Sequence, residues 1–393
     1  MPLARYYAAA CQFDLPNPRG VGEIETRAQR MLQMIDHAVT GYDPFFPVRL
    51  VVFPEFAHAA PIYPTAEEIY DRLAVPIPNE FTDLYLKKAR QWGVYIVPGT
   101  FLERVARWPG HVFNTACLIG PEGLVLKYRK VHPWIPWEVH TSPHDLADYD
   151  EPLFPVVDTE IGCIGVGICY DWLFPEAVRQ LGMAGAEVLV RVSAYMDPWG
   201  TAAPLEWWTL VNRMRAIENM AFVVAANQGA SWANYPPFSW PGGSMIVDPD
   251  GRILAQAEPG PGERIMVGPV DLAAVRAERT RRRGHHLLAH LRTEAYTCYR
   301  APVYRLASGG RPPSVASNEE AIAEAQRRLT RAGPQPPGGS AAGPPVAGGG
   351  SGRGIPIGLP KKTIGGFPVL RLPSWIYQTH QTLIEIREWR KKW

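Results

Sequence analysis

The chain has 393 residues, of which 46% are apolar and 20% charged, and its formal net charge is +2. That length fits one large domain with an extension as well as two domains, and near-neutral charge gives no argument for nucleic acid or an acidic surface as a partner. Five cysteines (Cys11, Cys117, Cys163, Cys169 and Cys298) are scattered without a CxxC pair. This argues against a disulfide framework or a zinc cluster and predicts a reducing, cytoplasmic setting. No apolar run approaches the ~18 residues of a membrane span. The N-terminus enters a strand-like run without a charged leader and apolar segment, so no signal peptide is expected.

In chain order, residues 6–12 predict a first strand and 22–39 an amphipathic helix with Ile24, Met31, Ile35 and Ala38 on one side. A short apolar strand over 49–53 ends in Pro54-Glu55, and after a loop rich in Pro, His and Tyr the pattern predicts a helix over 80–91. Strands follow at 94–98, 113–119 and 124–128, the last two joined by a Gly120-Pro-Glu-Gly123 turn. Residues 129–138 are too rich in Pro and Trp for regular structure. The run over 161–168 then ends abruptly at Cys169, and Pro175 and Glu176 open a helix to Met183. Beyond it come a strand (187–192), a helix (204–218), a strand (221–226) and a hairpin around Asp248-Pro-Asp-Gly251. A strand over 265–270 and a charged helix over 272–282 close the pattern. This alternation predicts an α/β layered domain over residues 1–300. Residues 301–366 read as a Pro/Gly-rich linker with a short helix at 318–331, and 367–393 as a basic amphipathic C-terminal segment.

Glu55, Lys130 and Cys169 each stand at the end of an apolar strand. In layered α/β domains ligands collect at the carboxyl ends of strands, so the three could converge. Their types are complementary: a carboxylate can take a proton from a thiol, and a lysine can stabilise an oxyanion. A thiol in a strand-to-helix turn also gains access and nearby backbone N–H donors. Taken singly, Cys169 also reads as a buried structural cysteine, Glu55 as a helix cap and Lys130 as a solvated turn residue.

The segments Val52-Phe-Pro-Glu55, Tyr128-Arg-Lys130 and Gly167-Ile-Cys169-Tyr-Asp171, followed by Phe174-Pro-Glu176, resemble the signature of the nitrilase superfamily of carbon–nitrogen hydrolases. The three motifs occur in the family's chain order, and the resemblance extends over about residues 5–300. The stretch Arg129-Lys130-Val-His-Pro-Trp134-Ile-Pro-Trp-Glu138 looks like the aliphatic amidase and formamidase version of the lysine loop. Tyr170 departs from the Asp-Asp that usually follows the cysteine in aliphatic amidases. The resemblance implies a four-layer α-β-β-α sandwich and hydrolysis of a non-peptide amide, a small molecule, to a carboxylic acid and ammonia. Cys169 would be the nucleophile, Glu55 the general base, Lys130 and the Tyr170 backbone N–H the oxyanion donors, and Glu138 an orienting group. No metal or organic cofactor is called for. Superfamily members usually assemble, so a homo-oligomer is expected, with the C-terminal segment docking between subunits. Nitrile or N-carbamoyl amino acid hydrolysis is the alternative chemistry, and a catalytically silent scaffold the alternative class.

Trp134, Trp137, Tyr170 and Tyr195 are the candidate substrate-binding residues within a wider aromatic set that includes Tyr63, Trp207, Trp208 and Trp240. His286, His290 and Glu294 share helical spacing, but beside Arg281-Arg-Arg283 a solvated or interface helix is expected rather than a metal face. Asp171 is expected to fix the local turn, as aspartates after strands often do.

Overall fold

The computed structural model describes residues 3–134, 138–196, 206–229, 240–282 and 284–300, with positions 322, 323 and 326 beyond. Trp137, nearly all of the predicted helix at 318–331 and the whole segment 367–393 lie outside the described residues.

Among the described residues thirteen strands and six α-helices follow in order. They are β1 (Arg5–Asp14), α1 (Ile24–Thr40), β2 (Val48–Val52), α2 (Ala66–Arg72), α3 (Glu80–Trp92), β3 (Tyr95–Val97), β4 (Thr100–Arg104), β5 (Val112–Gly120) and β6 (Gly123–Arg129). After these come β7 (Val156–Thr159), β8 (Gly162–Ile168), α4 (Pro175–Met183), β9 (Val188–Ser193), α5 (Trp207–Asn219), β10 (Phe222–Gly229), β11 (Met245–Val247), β12 (Ile253–Gln256), β13 (Arg264–Asp271) and α6 (Leu272–Arg281).

They form the two sheets of an α-β-β-α sandwich. In one sheet β1, β2 and β3 run parallel, flanked by antiparallel β13 on one side and by β5 with β4 and β6 on the other. In the second, β8, β9 and β10 run parallel between antiparallel β7 and the β11–β12 hairpin. The sheets join where β1 and β10 pair briefly, Phe13 with Gln228 and Asp14 with Gly229.

The alternation along β1 shows how sequence sets the layers, since successive side chains leave opposite faces of a strand. Tyr6, Ala8 and Ala10 enter the core shared with Val166, Val190 and Val224 of the second sheet. Ala9, Cys11 and Phe13 turn outward to pack with Ile24, Met31 and Ile35 of α1. Parallel strands covered on both faces need unbroken apolar runs, as β8 and β10 have.

Three elements escape the sequence pattern, among them β7, which lies between a polar loop and the apolar run over 161–168. Helix α2 lies where a loop was expected; Thr65 caps it by accepting from the Glu68 backbone N–H, but the element is only seven residues long. Strand β4 follows β3 after two residues and carries Glu103 at a buried position, which broke the apolar signal. The segment around His286 and His290 is a turn rather than the expected helix.

Candidate active site

The strand ends converge. Strand β8 stops at Ile168, and Cys169 begins a short 3₁₀ turn, Cys169–Leu173, that leads into α4. Cys169 has φ +42°, in the left-handed region that costs a residue with a Cβ on the order of 1–3 kcal/mol. Two features hold it there. The Asp171 carboxylate accepts from the Ile168 backbone N–H at 3.1 Å, the Tyr128 hydroxyl at 2.7 Å and the His132 backbone N–H at 3.0 Å. In addition, Trp172 folds under the turn against Gly167, where an added Cβ would lie 2.8 Å from Trp172 Nε1. A glycine is therefore required two residues before the thiol. Asp171 thus fixes the turn, as its position after the strand suggested, and ties it to the strand that delivers Lys130.

Glu55 follows β2, and Lys130 follows β6. Lys130 Nζ donates to Glu55 Oε1 at 2.8 Å and to Glu138 Oε1 at 2.5 Å, with all three side chains buried. Glu55 is further fixed by Asn114 Nδ2, which donates to Oε1 at 2.8 Å, and by the Ala194 backbone N–H, which donates to Oε2 at 2.8 Å. The Asn114 carbonyl accepts from the Lys130 N–H at 2.9 Å, so one residue positions both partners. From the second sheet, Gln228 Nε2 donates to the Glu55 carbonyl at 2.6 Å. Glu138 Oε2 accepts from the Trp134 N–H at 3.2 Å.

The electrostatics divide these groups. Burial pushes the Cys169 thiol up to about 12, and the Glu55 carboxylate adds to the rise while Lys130 and Arg191 oppose it. The resting thiol is therefore protonated and needs a base. Burial also raises Glu55 above an ordinary glutamate, with Glu138 assisting and Lys130 opposing. For Lys130, burial favours loss of the proton, but Glu138 and Glu55 outweigh it and hold the ammonium charged. Glu138 goes the other way from Glu55: burial acts to raise it, but Lys130 pulls it below the usual range. Two carboxylates on one lysine are thus pushed apart, the pattern that separates a proton-transferring carboxylate from one that stays ionised.

A cavity of about 310 Å³ opens onto Cys169, Glu55 and Glu138, with Trp134, Tyr170, Leu173, Tyr195, Met196 and Trp207 among its described walls. Three of the four aromatic candidates, Trp134, Tyr170 and Tyr195, therefore meet at one site. From the wider set, Trp207 joins them. Trp208 and Trp240 are instead buried anchors, whose indole N–H groups donate to the Gly243 and Ala194 carbonyls, and Tyr63 donates to the Arg19 carbonyl away from the cavity. Sequence reasoning gave no role to the side chains of Asn114, Asn227 or Gln228. Asn227 Oδ1 accepts from the Tyr195 N–H at 2.8 Å and so sets that wall. The available signal was a polar residue inside or at the end of an apolar strand, a position that needs a partner. Among the described residues no three His, Cys, Asp or Glu side chains come together to hold a metal ion.

A family model described as carbon–nitrogen hydrolase matches residues 7–280. A formamidase from Bacillus cereus (strain Q1) is 30% identical over 267 residues, covering 67% of this chain and 73% of that protein. Among solved structures, the Caenorhabditis elegans NitFhit protein is similar with a TM-score of 0.57 and 28% identity, over 76% of this chain and 67% of its own. An amidase from Nesterenkonia sp. shares the fold with a TM-score of 0.51 and 21% identity, over 70% and 94% of the two chains.

Proposed function

The chain belongs to the carbon–nitrogen hydrolase family and is an amide-hydrolysing member of it, and from that premise we propose a cysteine thioester mechanism carried by Cys169, Glu55, Lys130 and Glu138. The observation that carries the reading is the joint placement of Cys169 and Glu55 on one cavity, with Lys130 Nζ 2.8 Å from Glu55 Oε1. Cys169 Sγ attacks the amide carbon as Glu55 takes the thiol proton, since a thiol at about 12 supplies almost no thiolate on its own. The oxyanion is stabilised by the Lys130 ammonium and the Tyr170 backbone N–H. Glu55 returns the proton to the amide nitrogen, the carbon–nitrogen bond breaks, and ammonia leaves behind a thioester. Water, giving its proton to Glu55, then attacks the thioester; the carboxylic acid departs and Sγ recovers the proton. Glu138, held ionised by Lys130, orients the amide nitrogen or the incoming water.

The test is direct. Cys169→Ala should abolish ammonia release from amides, by about 10⁴–10⁶-fold on the scale of other covalent nucleophiles. Intact-mass analysis of the wild type after rapid quenching should show the acyl adduct. Wild-type turnover in the variant would overturn the nucleophile assignment. The same reading places the protein in a reducing, cytoplasmic setting, supported by five cysteines that are all free. It also makes the protein a homo-oligomer, supported by exposed Met183, Leu210 and Met214 on α4 and α5. Leu210→Glu should then lower the particle mass in solution.

A further inference from the structure

The cavity offers far more room than the smallest amides need. At roughly 30 Å³ per water-sized group, its volume of about 310 Å³ accommodates about ten such groups. Formamide or acetamide would leave most of it to water and most of its apolar wall untouched. Away from the reacting groups, the described wall is made by the side chains of Trp134, Tyr170, Leu173, Tyr195, Met196 and Trp207. The charged side chains among the described lining are Glu55 and Glu138, and Lys130 behind them is engaged by both.

Arg191 is the next cation, and it does not line the cavity. Its guanidinium lies within the wall, 4.3 Å from the Trp208 ring centroid and 5.2 Å from that of Tyr195, with Nη1 donating to Asn212 Oδ1 at 2.9 Å. A carboxylate on the far end of a substrate would therefore meet no cation on the described lining itself, the Arg191 guanidinium lying behind Tyr195 and Trp208. It would also enter a space that already holds two buried carboxylates against one ammonium. A neutral apolar group, by contrast, gains from every methylene it takes out of water.

Building on the amide-hydrolysis reading, we propose that the substrates are primary amides with a neutral, apolar acyl group of roughly five to ten heavy atoms, branched aliphatic or arylalkyl. The aromatic and thioether side chains suit rings and branched chains, since flat faces and an unbranched methionine adapt to both. Binding energy from this remote group would orient the amide carbon against Cys169 Sγ, so the gain appears in kcat/KM rather than in KM alone.

The experiment is an ammonia-release series on the full chain with formamide, acetamide, butyramide, hexanamide, isovaleramide and phenylacetamide. Glutaramate and 3-aminopropionamide serve as charged arms. The expected result is a rise in kcat/KM of about fourfold per added methylene until the cavity fills, the equivalent of about 0.8 kcal/mol each. Each charged amide should fall at least tenfold below its neutral analogue. Leu173→Trp and, separately, Met196→Phe should move the optimum toward shorter acyl groups; two positions keep the test alive if one variant fails to fold. An optimum at formamide or acetamide, or with either charged arm, would overturn the proposal and leave amide hydrolysis standing. Absence of ammonia release from every amide, with folded protein, would instead remove the underlying reading.

Discussion

Arg129 and Lys130 are neighbours in sequence, both buried, yet they serve two opposite kinds of ionic cluster. Arg129 turns to one face and grips Glu103 with both ends of its guanidinium, Nε to Oε2 at 2.7 Å and Nη2 to Oε1 at 2.9 Å. Lys127, at 3.2 Å, and the Thr115 hydroxyl, at 2.7 Å, complete the Glu103 shell. There two cations, Arg129 and Lys127, face two carboxylates, Glu103 and the partly exposed Glu151 that Arg129 Nη1 reaches at 2.9 Å, and the charges balance. Lys130 turns to the other face and finds a mismatch, two carboxylates competing for one ammonium beside a thiol. A balanced cluster holds its protons in place; an unbalanced one is poised to pass them on. The comparison teaches that burial alone does not mark a candidate for proton transfer, whereas a mismatch of charge within the buried group does.

Four substitutions would break or sharpen this contrast. The largest expected effect lies on the structural side: Arg129→Met leaves Glu103 buried without its main partner and should cost about 3–5 kcal/mol of stability. Denaturant unfolding would measure it, while turnover per folded molecule should change little. On the catalytic side, Lys130→Ala should lower kcat by about 10²–10³-fold, the scale of one lost oxyanion donor. Steady-state ammonia release checks this, and a near-neutral result would remove Lys130 from the chemistry. Next is a shift rather than a loss. Glu138 is one of the influences holding the Glu55 carboxyl up, so in Glu138→Gln the Glu55 proton is lost more readily. The acid limb of the kcat/KM–pH profile should accordingly move to lower pH from a wild-type position above an ordinary glutamate. Smallest of all is Lys127→Met. Lys127 is a partly exposed outer partner of Glu103, and its loss should cost about 1 kcal/mol or less, readable as a small drop in Tm.

The legible part of the site was whatever a single strand end could announce. Glu55, Lys130 and Cys169 each stop an apolar run, and no pairing had to be known to suspect them. Trp134 and Glu138 were readable through the resemblance of their loop to the amidase version, which carries a tryptophan and a second glutamate after the lysine. What Asn114, Ala194 and Gln228 do was not readable, because their shared partner Glu55 lies 59, 139 and 173 positions away in the chain, respectively. Ala194 could never have been found by residue type, since it acts through its backbone N–H. The division of the aromatics was equally hidden: Trp207 and Trp208 are adjacent, yet one lines the cavity and the other is an inner anchor. The layers were legible wherever apolar runs were long, as in β8 and β10, and illegible where an element was short or carried a buried charge, as in α2 and β4.

The brief pairing of β1 with β10 carries a consequence for how activity arises. Glu55 and Lys130 belong to one sheet, Cys169 and Ala194 to the other, and Gln228 reaches across from beside the seam. On the proposed mechanism the reacting groups sit on opposite plates, and a slip of about 1 Å between them would cost on the order of 10²-fold in rate. Turnover in this protein is a gauge of the alignment of its two halves, and a lesion in the seam far from any ligand should silence the enzyme before it unfolds it.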